Sequence, residues 1–228
     1  MNRYSLIKEK MPREFLLLQG TGCKWRQCVF CDYYADVSEN PFLINQKVLT
    51  KVTGQYGVLD IINSGSCIEF DSSTINLIAE TAKKKNIHTL WFEAHWMYRN
   101  DLLKFAENFS NITVKFRTGI ETFDAATRIN WKKGIPENVS AADTAKYFQG
   151  VCLLFGVEGQ TRELISRDIE LALSNFEYFS LNAFIENSTS LKSDPLLVDW
   201  FLTSWFEKLK DNPKAEILIS NTDLGVGM

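Results

Sequence analysis

The sequence has little of what would place the chain in several common protein classes. It contains only two histidines, His88 and His95, and therefore lacks the clustered histidines found in many structural zinc sites. It has no apolar run of about 18 residues, the length that suggests a membrane-spanning helix. Its first residues also lack the apolar segment of a secretory signal peptide. We therefore expect no membrane partner and a cytoplasmic location.

The chain also has almost no excess of positive or negative charge. The chain has 25 Lys and Arg residues against 28 Asp and Glu residues, which gives a formal net charge of −3. Proteins that bind DNA or RNA usually present a basic face. The one lysine run, at residues 83–85, is better explained as the end of a helix, where cations interact favourably with the helix dipole. We therefore expect no nucleic acid polymer as a partner.

Cysteine is scarce too, but three of the five cysteines lie in one short stretch. Cys23, Cys28 and Cys31 are spaced C-x4-C-x2-C, directly after an apolar run. Three thiolates on one loop suit a soft metal centre such as an iron–sulfur cluster. Zinc is the competing interpretation, because C-x2-C is half of a common zinc motif, although neither Cys67 nor Cys152 has a companion at short spacing. Clustering of this kind indicates a reducing compartment rather than a disulfide framework.

The segment Cys28-Val29-Phe30-Cys31-Asp32 resembles the cluster-binding loop of the radical S-adenosylmethionine (SAM) superfamily, whose usual pattern is C-x3-C-x-aromatic-C. Phe30 occupies the aromatic position, and this chain has one more residue between Cys23 and Cys28. The resemblance implies a [4Fe-4S] cluster held by Cys23, Cys28 and Cys31. It also implies SAM as the second cofactor, bound at the iron that the protein leaves open.

Apolar runs alternate with helical patterns along the whole chain. Strands are predicted at residues 15–19, 58–63, 88–93, 112–118, 150–155, 178–184 and 215–220. Each of the first six precedes a helical segment, which is typical of a parallel sheet with right-handed crossovers. Residues 1–14 are predicted to be a lead-in without a regular element. The resemblance implies an α/β fold, a partial (β/α)6 barrel of the radical SAM type with an additional C-terminal strand, and we expect residues 1–228 to form a single domain.

Ligands of parallel α/β folds bind at the carboxyl ends of the strands. The turn Ser64-Gly65-Ser66 follows the second predicted strand, where the superfamily holds the SAM amino group; an ordinary strand-to-helix turn is the alternative. Arg117 is predicted to offer its guanidinium to the SAM carboxylate or a phosphate, or else to pair with Glu121. Gly156 and Glu158 resemble the superfamily motif that lies beside the adenosyl group. These residues form our candidate cofactor site.

Candidate substrate-binding residues follow two other predicted strands. Glu93 stands directly after an apolar strand, a position that favours a ligand contact over an exposed salt bridge. His95 and Trp96 follow it, although His95 is as readily a structural histidine. Asn182 and Glu186 are polar residues beside the apolar run of the sixth strand.

The loop at residues 22–34 and the short single-domain frame also resemble the queuine lyases, a radical SAM family of bacterial queuosine salvage. The resemblance implies release of queuine from queuosine or its 5′-phosphate, after a 5′-deoxyadenosyl radical abstracts a hydrogen atom from the ribose. It implies a small nucleoside or nucleotide substrate and an electron donor such as flavodoxin or ferredoxin. Two alternatives stay open: a radical SAM enzyme that acts on another small molecule, and a non-catalytic zinc or iron–sulfur binding module.

Overall fold

Eight strands are present in the computed structural model, which describes residues 1–227. They are β1 (Tyr4–Ile7), β2 (Arg13–Leu17), β3 (Val58–Ile62), β4 (Thr89–Glu93), β5 (Thr113–Glu121), β6 (Gly150–Phe155), β7 (Tyr178–Ala183) and β8 (Ala215–Leu218). The strands lie in chain order across one sheet. β1 is antiparallel to β2, while the series β2 to β5 and the series β6 to β8 pair in parallel.

Helices connect the parallel strands, as the alternating pattern predicts. They are α1 (Pro41–Leu49), α2 (Ser72–Lys84), α3 (Leu102–Ala106), α4 (Ala125–Asn130), α5 (Ala141–Ala145), α6 (Arg162–Asn175), α7 (Pro195–Phe201) and α8 (Glu207–Leu209). A π-helical turn, Leu202–Phe206, joins α7 to α8. The N-cap side chains of Asp71, Thr161 and Asp194 each accept a backbone N–H of the first turn, which satisfies donors that the helix leaves unpaired. No helix within residues 1–227 has both the length and the apolar character needed to span a membrane.

The chain divides into two compact units, and we describe each by itself. The first consists of Met1–Arg26, Tyr33–Arg117 and the residues from Leu224 onward. The second consists of Gln27–Asp32 and Thr118–Asp223. The boundary passes through the cysteine loop, so that the first cysteine of the motif belongs to one unit and the other two to the second. The single domain expected from the sequence stays a prediction.

The first unit contains a strand that the sequence did not predict. Residues 1–14 are not a lead-in without a regular element, because β1 pairs with β2 from Tyr4 opposite Leu16 to Ile7 opposite Arg13. The buried Glu14 carboxylate accepts the Tyr4 hydroxyl at 2.7 Å and the Gly54 backbone N–H at 2.6 Å. β1 forms because it completes this edge of the sheet, a tertiary effect that leaves little apolar pattern in the sequence.

The second unit places Gly156 where the backbone turns away from β6. Gly156 has φ of +79°, a conformation that residues with a Cβ rarely adopt. A Cβ at this position would also stand 2.7 Å from Cγ2 of Val198 on α7. Phe155 and Phe201 pack beside it with ring centroids 4.2 Å apart. Glycine is therefore required here for the close packing of α7 on the end of β6.

Candidate active site

The N-terminal half of the cysteine loop is held by the turn that follows β3. The backbone N–H of Thr21 donates to the Glu69 carbonyl at 2.9 Å, and that of Lys24 donates to Oε1 of Glu69 at 2.8 Å. Between them, Cys23 accepts the Arg26 N–H on its Sγ at 3.3 Å. Hydrogen bonds to the sulfur are one way in which proteins tune an iron–sulfur cluster. The loop is therefore fixed on both sides of Cys23.

The turn Ser64-Gly65-Ser66 lies against the same part of the loop. The Ser66 N–H donates to Oε2 of Glu69 at 2.6 Å. A Cβ at Gly65 would stand 2.0 Å from Oε2 of Glu69 and 3.0 Å from the Cα of Cys23. Only glycine therefore allows the turn to approach the cysteine loop so closely. Ser64 donates its hydroxyl to the Asp36 carbonyl at 2.9 Å, which anchors the turn on its other side.

The segment after β4 brings aromatic side chains to this region of the first unit. The His95 ring stacks on Trp25 of the cysteine loop, with centroids 5.4 Å apart and planes 17° apart. The His95 N–H donates to the Ser66 hydroxyl at 3.0 Å. Trp96 is buried, and the Arg99 guanidinium lies 4.9 Å from its ring centroid. His95 thus contacts both the cysteine loop and the turn after β3.

Tyr98, which the sequence analysis did not select, donates its hydroxyl to Oε1 of Glu69 at 2.9 Å. Burial and the Glu69 carboxylate together raise the pKa of the Tyr98 hydroxyl well above its usual range. The phenol therefore stays protonated at physiological pH and remains a donor. A carboxylate three residues beyond the turn is visible in the sequence, but nothing local indicates that it bonds to the loop 45 residues away.

Charged residues fill the interior of the first unit near Glu93. Asp60 is fully buried, and its Oδ2 accepts Nε of Arg13 and one terminal nitrogen of Arg117, each at 2.8 Å. The other terminal nitrogen of Arg117 lies 2.8 Å from Oδ1 as an ion-pair contact. Burial alone would raise the pKa of Asp60, but Arg117 and Arg13 hold it below its ordinary value. Nε of Arg117 lies 3.5 Å from the Glu93 carboxylate, whose side chain is 34% exposed. Arg117 therefore orients Glu93 while its fork is engaged with Asp60.

The C-terminal half of the cysteine loop is held within the second unit by Phe30 and its neighbours. The Phe30 ring meets Trp131 edge-on with centroids 5.7 Å apart, and Asn187 donates to the Phe30 carbonyl at 2.8 Å. The Asp32 carboxylate accepts the backbone N–H and the hydroxyl of Ser188. The aromatic position of the motif is therefore an anchor for the backbone that carries Cys28 and Cys31.

Glu121 ends β5 in a left-handed conformation, with φ of +64°. Its carboxylate accepts Nζ of Lys133 at 2.9 Å, and Nζ of Lys133 lies 5.5 Å from the centroid of the Phe30 ring. Left-handed backbone at a non-glycine residue is costly and is concentrated at functional sites. The partner of Glu121 is thus Lys133, whereas Arg117 pairs with Asp60 and Glu93.

The remaining candidates lie after β6, within β7 or after β7, and have contacts within the second unit. Glu158 is exposed, and its backbone N–H donates to the Lys192 carbonyl at 2.9 Å. Asn182 donates to the Leu153 carbonyl of the neighbouring strand at 3.0 Å. Glu186 forms an exposed ion pair with Lys192 at 2.9 Å. These contacts give Asn182 and Glu186 structural partners of their own.

The five cysteines differ in exposure, and none forms a disulfide. Cys23, Cys28 and Cys31 are partly exposed, whereas Cys67 is buried, and that burial raises the pKa of its thiol well above the usual range. A thiolate is the form that binds metal, so Cys67 is a poor ligand. Among residues 1–227 no group of three or more His, Cys, Asp or Glu side chains is preassembled around a point. We therefore judge the fit to a cluster by the donor atoms. These are three partly exposed thiols, and Sγ of Cys23 also accepts an N–H. Such donors suit an iron–sulfur cluster.

Comparison with solved structures finds two informative matches. The chain is 40% identical to "queuine lyase from Clostridium spiroforme bound to SAM and queuine", with a TM-score of 0.95 over 100% of both chains. It is 16% identical to methylornithine synthase, with a TM-score of 0.55 over 89% of this chain and 63% of the other. The second match shows the fold alone. No protein-family model and no curated protein matches the chain.

The fold is that of a radical SAM enzyme, and the predicted α/β partial barrel with an additional C-terminal strand is confirmed. Within that class, the chain belongs to the queuine lyase family. Because the family is one of enzymes, the alternative of a non-catalytic zinc or iron–sulfur binding module is not supported.

Proposed function

We propose that the protein releases queuine from queuosine or queuosine 5′-phosphate. The observation that carries the proposal is the likeness, over the full length of both chains, to a queuine lyase whose structure contains SAM and queuine. The cluster motif with its extra residue and the aromatic segment after β4 support the same function. A radical SAM enzyme for another small molecule is the alternative.

Cys23, Cys28 and Cys31 would hold the [4Fe-4S] cluster, which leaves one iron without a protein ligand. When bound, the cluster and SAM would supply the radical chemistry that removes a hydrogen atom from the substrate ribose. The turn 64–66 would bind the methionine end of SAM, because Gly65 lets backbone donors come close to a ligand. Our other candidates for SAM contacts are Arg117, Glu121, Gly156 and Glu158.

Substrate recognition would fall first to the last residue of β4 and the residues just after it. The secondary amine of queuosine is protonated near neutral pH, and a buried cation requires a paired carboxylate. Glu93 is oriented by Arg117 and still partly exposed, so it would accept this cation. His95 and Trp96 would contact the flat base, and Asn182 and Glu186 complete the candidate set.

We infer that the electron comes from a small reductant such as flavodoxin or ferredoxin. The protein would work in the cytoplasm, since partly exposed thiols that bind a cluster need a reducing compartment.

One anaerobic assay tests the function. Reconstituted protein is incubated with SAM, dithionite and either queuosine or its 5′-phosphate, and the products are separated by chromatography. We expect free queuine and 5′-deoxyadenosine together, and neither from the Cys31→Ala variant. Release of 5′-deoxyadenosine without queuine from either substrate would favour the alternative enzyme. No SAM cleavage by protein that carries its cluster would contradict radical SAM chemistry.

A further inference from the structure

Glu69 connects two segments that the proposed function uses. Its carboxylate is buried, the residue being 7% exposed. Oε1 accepts the backbone N–H of Lys24 at 2.8 Å and the hydroxyl of Tyr98 at 2.9 Å, while Oε2 accepts the N–H of Ser66 at 2.6 Å. One carboxylate thus binds the cysteine loop, the turn after β3 and the segment after β4.

The backbone of Glu69 adds to this connection. Its carbonyl accepts both the N–H of Thr21 at 2.9 Å and the Thr21 hydroxyl at 3.1 Å. A Cβ at Gly20 would stand 2.9 Å from the same carbonyl, so the loop approaches closely along its first residues. Glu69 therefore holds the backbone both before and after Cys23.

Capping of the short helical turn Cys67–Glu69 accounts for only part of these contacts. The capping box with Ser66 engages Oε2, three residues away in the chain. Oε1 instead bonds to Lys24 and Tyr98, which are 45 and 29 residues distant. Hydrogen bonds to a carboxylate are roughly twice as strong as neutral ones. Oε1 is therefore placed to fix the cysteine loop rather than the helical turn Cys67–Glu69.

We propose that Glu69 is a positioning residue for the cofactors: it fixes the backbone beside Cys23 and the turn 64–66 in one arrangement. Cys23 is then presented to the cluster, and the turn to SAM, without rearrangement on binding. The proposal depends on the proposed function for the identity of the ligands. The contacts themselves belong to the protein alone, so they are measurable without any ligand.

Hydrogen exchange of the cluster-free protein, followed by mass spectrometry, tests the positioning directly. In the Glu69→Gln variant one carboxylate oxygen becomes an NH2 group, which cannot accept a backbone N–H, and the remaining oxygen loses the negative charge that strengthens its bond. Loss of a bond to a charged group predicts exchange at residues 21–24 and 64–66 at least about tenfold faster. The matched control is Glu80→Gln on the exposed face of α2, which should exchange like the wild type. A purely structural role would instead accelerate exchange in β3 and β4 as well and lower the melting temperature.

Iron retention gives a second readout. Reconstituted Glu69→Gln protein should lose iron to a chelator several times faster than the wild type and the Glu80→Gln control. Unchanged local exchange together with unchanged iron loss would overturn the proposal. If Glu69→Gln does not fold, Tyr98→Phe must show faster exchange at Lys24, and wild-type exchange in that folded variant would equally overturn it. If the wild type does not release queuine but Glu69→Gln still accelerates hydrogen exchange at residues 21–24 and 64–66, the proposed function is contradicted but the role of Glu69 is not.

Discussion

At the scale of single residues, the side chains of the site already have hydrogen-bond or ion-pair partners within the protein. Cys23 accepts an N–H from Arg26, and Glu93 stands beside the Nε of Arg117. The fork of Arg117 is engaged with Asp60. Side chains restrained in this way lose less conformational entropy when a ligand binds. Replacing Cys23 or Glu93 should therefore affect cluster content or substrate binding rather than the whole fold.

Alanine in place of Cys23, Cys28 or Cys31 should abolish iron and sulfide content after reconstitution, because each removes one of three thiolate ligands. Metal and sulfide analysis of the purified variants checks this expectation. Cys152→Ala is the control, since Cys152 lies within β6 and pairs in register with Ser180. Equal loss of iron in the control would contradict the assignment.

Glu93→Gln should raise the KM for the nucleoside or abolish its turnover. Loss of one charge-assisted bond to a buried cation costs about 2–4 kcal/mol, a factor of roughly 30 to 1000 in binding. Cleavage of SAM in the absence of substrate should stay near the wild-type rate. Steady-state kinetics with Glu107→Gln, an exposed substitution in the same unit, provide the comparison. An equal loss of both activities would assign Glu93 to the cofactor or the fold.

At the scale of elements, the sequence predicted what is encoded locally. Apolar runs alternating with helical patterns predicted the parallel strands and the helices between them, because both depend on neighbours in the chain. β1 was missed, since its pairing with β2 decides its structure. The contacts of Glu69 and Asp60 were also missed, because their partners lie 29 to 57 residues away. The cysteine motif was predictable because its spacing is short.

A substitution at Gly65, in the turn after β3, is expected to affect the binding of both cofactors. A Cβ at Gly65 would overlap the Glu69 carboxylate and press on the backbone of Cys23. Gly65→Ala should therefore weaken SAM binding at least about tenfold and also reduce cluster retention, since overpacking typically costs 1–3 kcal/mol. Calorimetric SAM binding and iron analysis measure the two effects. Glu80→Gln, on the exposed face of α2, is the control. Wild-type SAM affinity in Gly65→Ala would remove the turn from the site.

Helix α6 contains a carboxylate that should make stability depend on pH. Burial raises the pKa of Asp168 from 3.8 to about 6, and the nearby Asp124 adds to the shift, against hydrogen bonds from Thr122 and the Phe123 backbone. Because its folded-state pKa is raised, the stability that Asp168 contributes is fully present below about pH 4 and is lost as the pH rises through 6. The free energy of unfolding should therefore fall between these values.

Asp168→Asn should remove this dependence while its side-chain oxygen still accepts the Phe123 N–H. At pH 7.5 the variant should be more stable than the wild type by about 2 kcal/mol, and the difference should vanish near pH 4. Denaturant unfolding at several pH values measures it, with the exposed Asp211→Asn as control. A variant less stable than the wild type at pH 7.5 would show that the carboxylate charge is needed there.

At the scale of the whole molecule, the small net charge disfavours a polyanionic substrate such as tRNA. A net charge of −3 offers little attraction to a polyanion, whose binding depends on Lys and Arg neutralising phosphates. The protein should release queuine from the free nucleoside or its 5′-phosphate but not from intact tRNA that carries queuosine. Chromatography of both reactions from one preparation compares them. Release from tRNA at a similar rate would contradict the expectation.

The buried ion network of the first unit has a consequence for how its sheet assembles. Arg13, Asp60 and Arg117 come from β2, β3 and β5, and each is almost completely buried. A slip of one residue in β3 turns Asp60 to the opposite face of the sheet. Both arginines would then be left buried without their carboxylate, and breaking a buried pair in this way costs about 3–5 kcal/mol. A chain with an incorrect strand register is therefore less stable than the native one by this amount. The ion network in this way selects the native alignment of β2, β3 and β5 during folding.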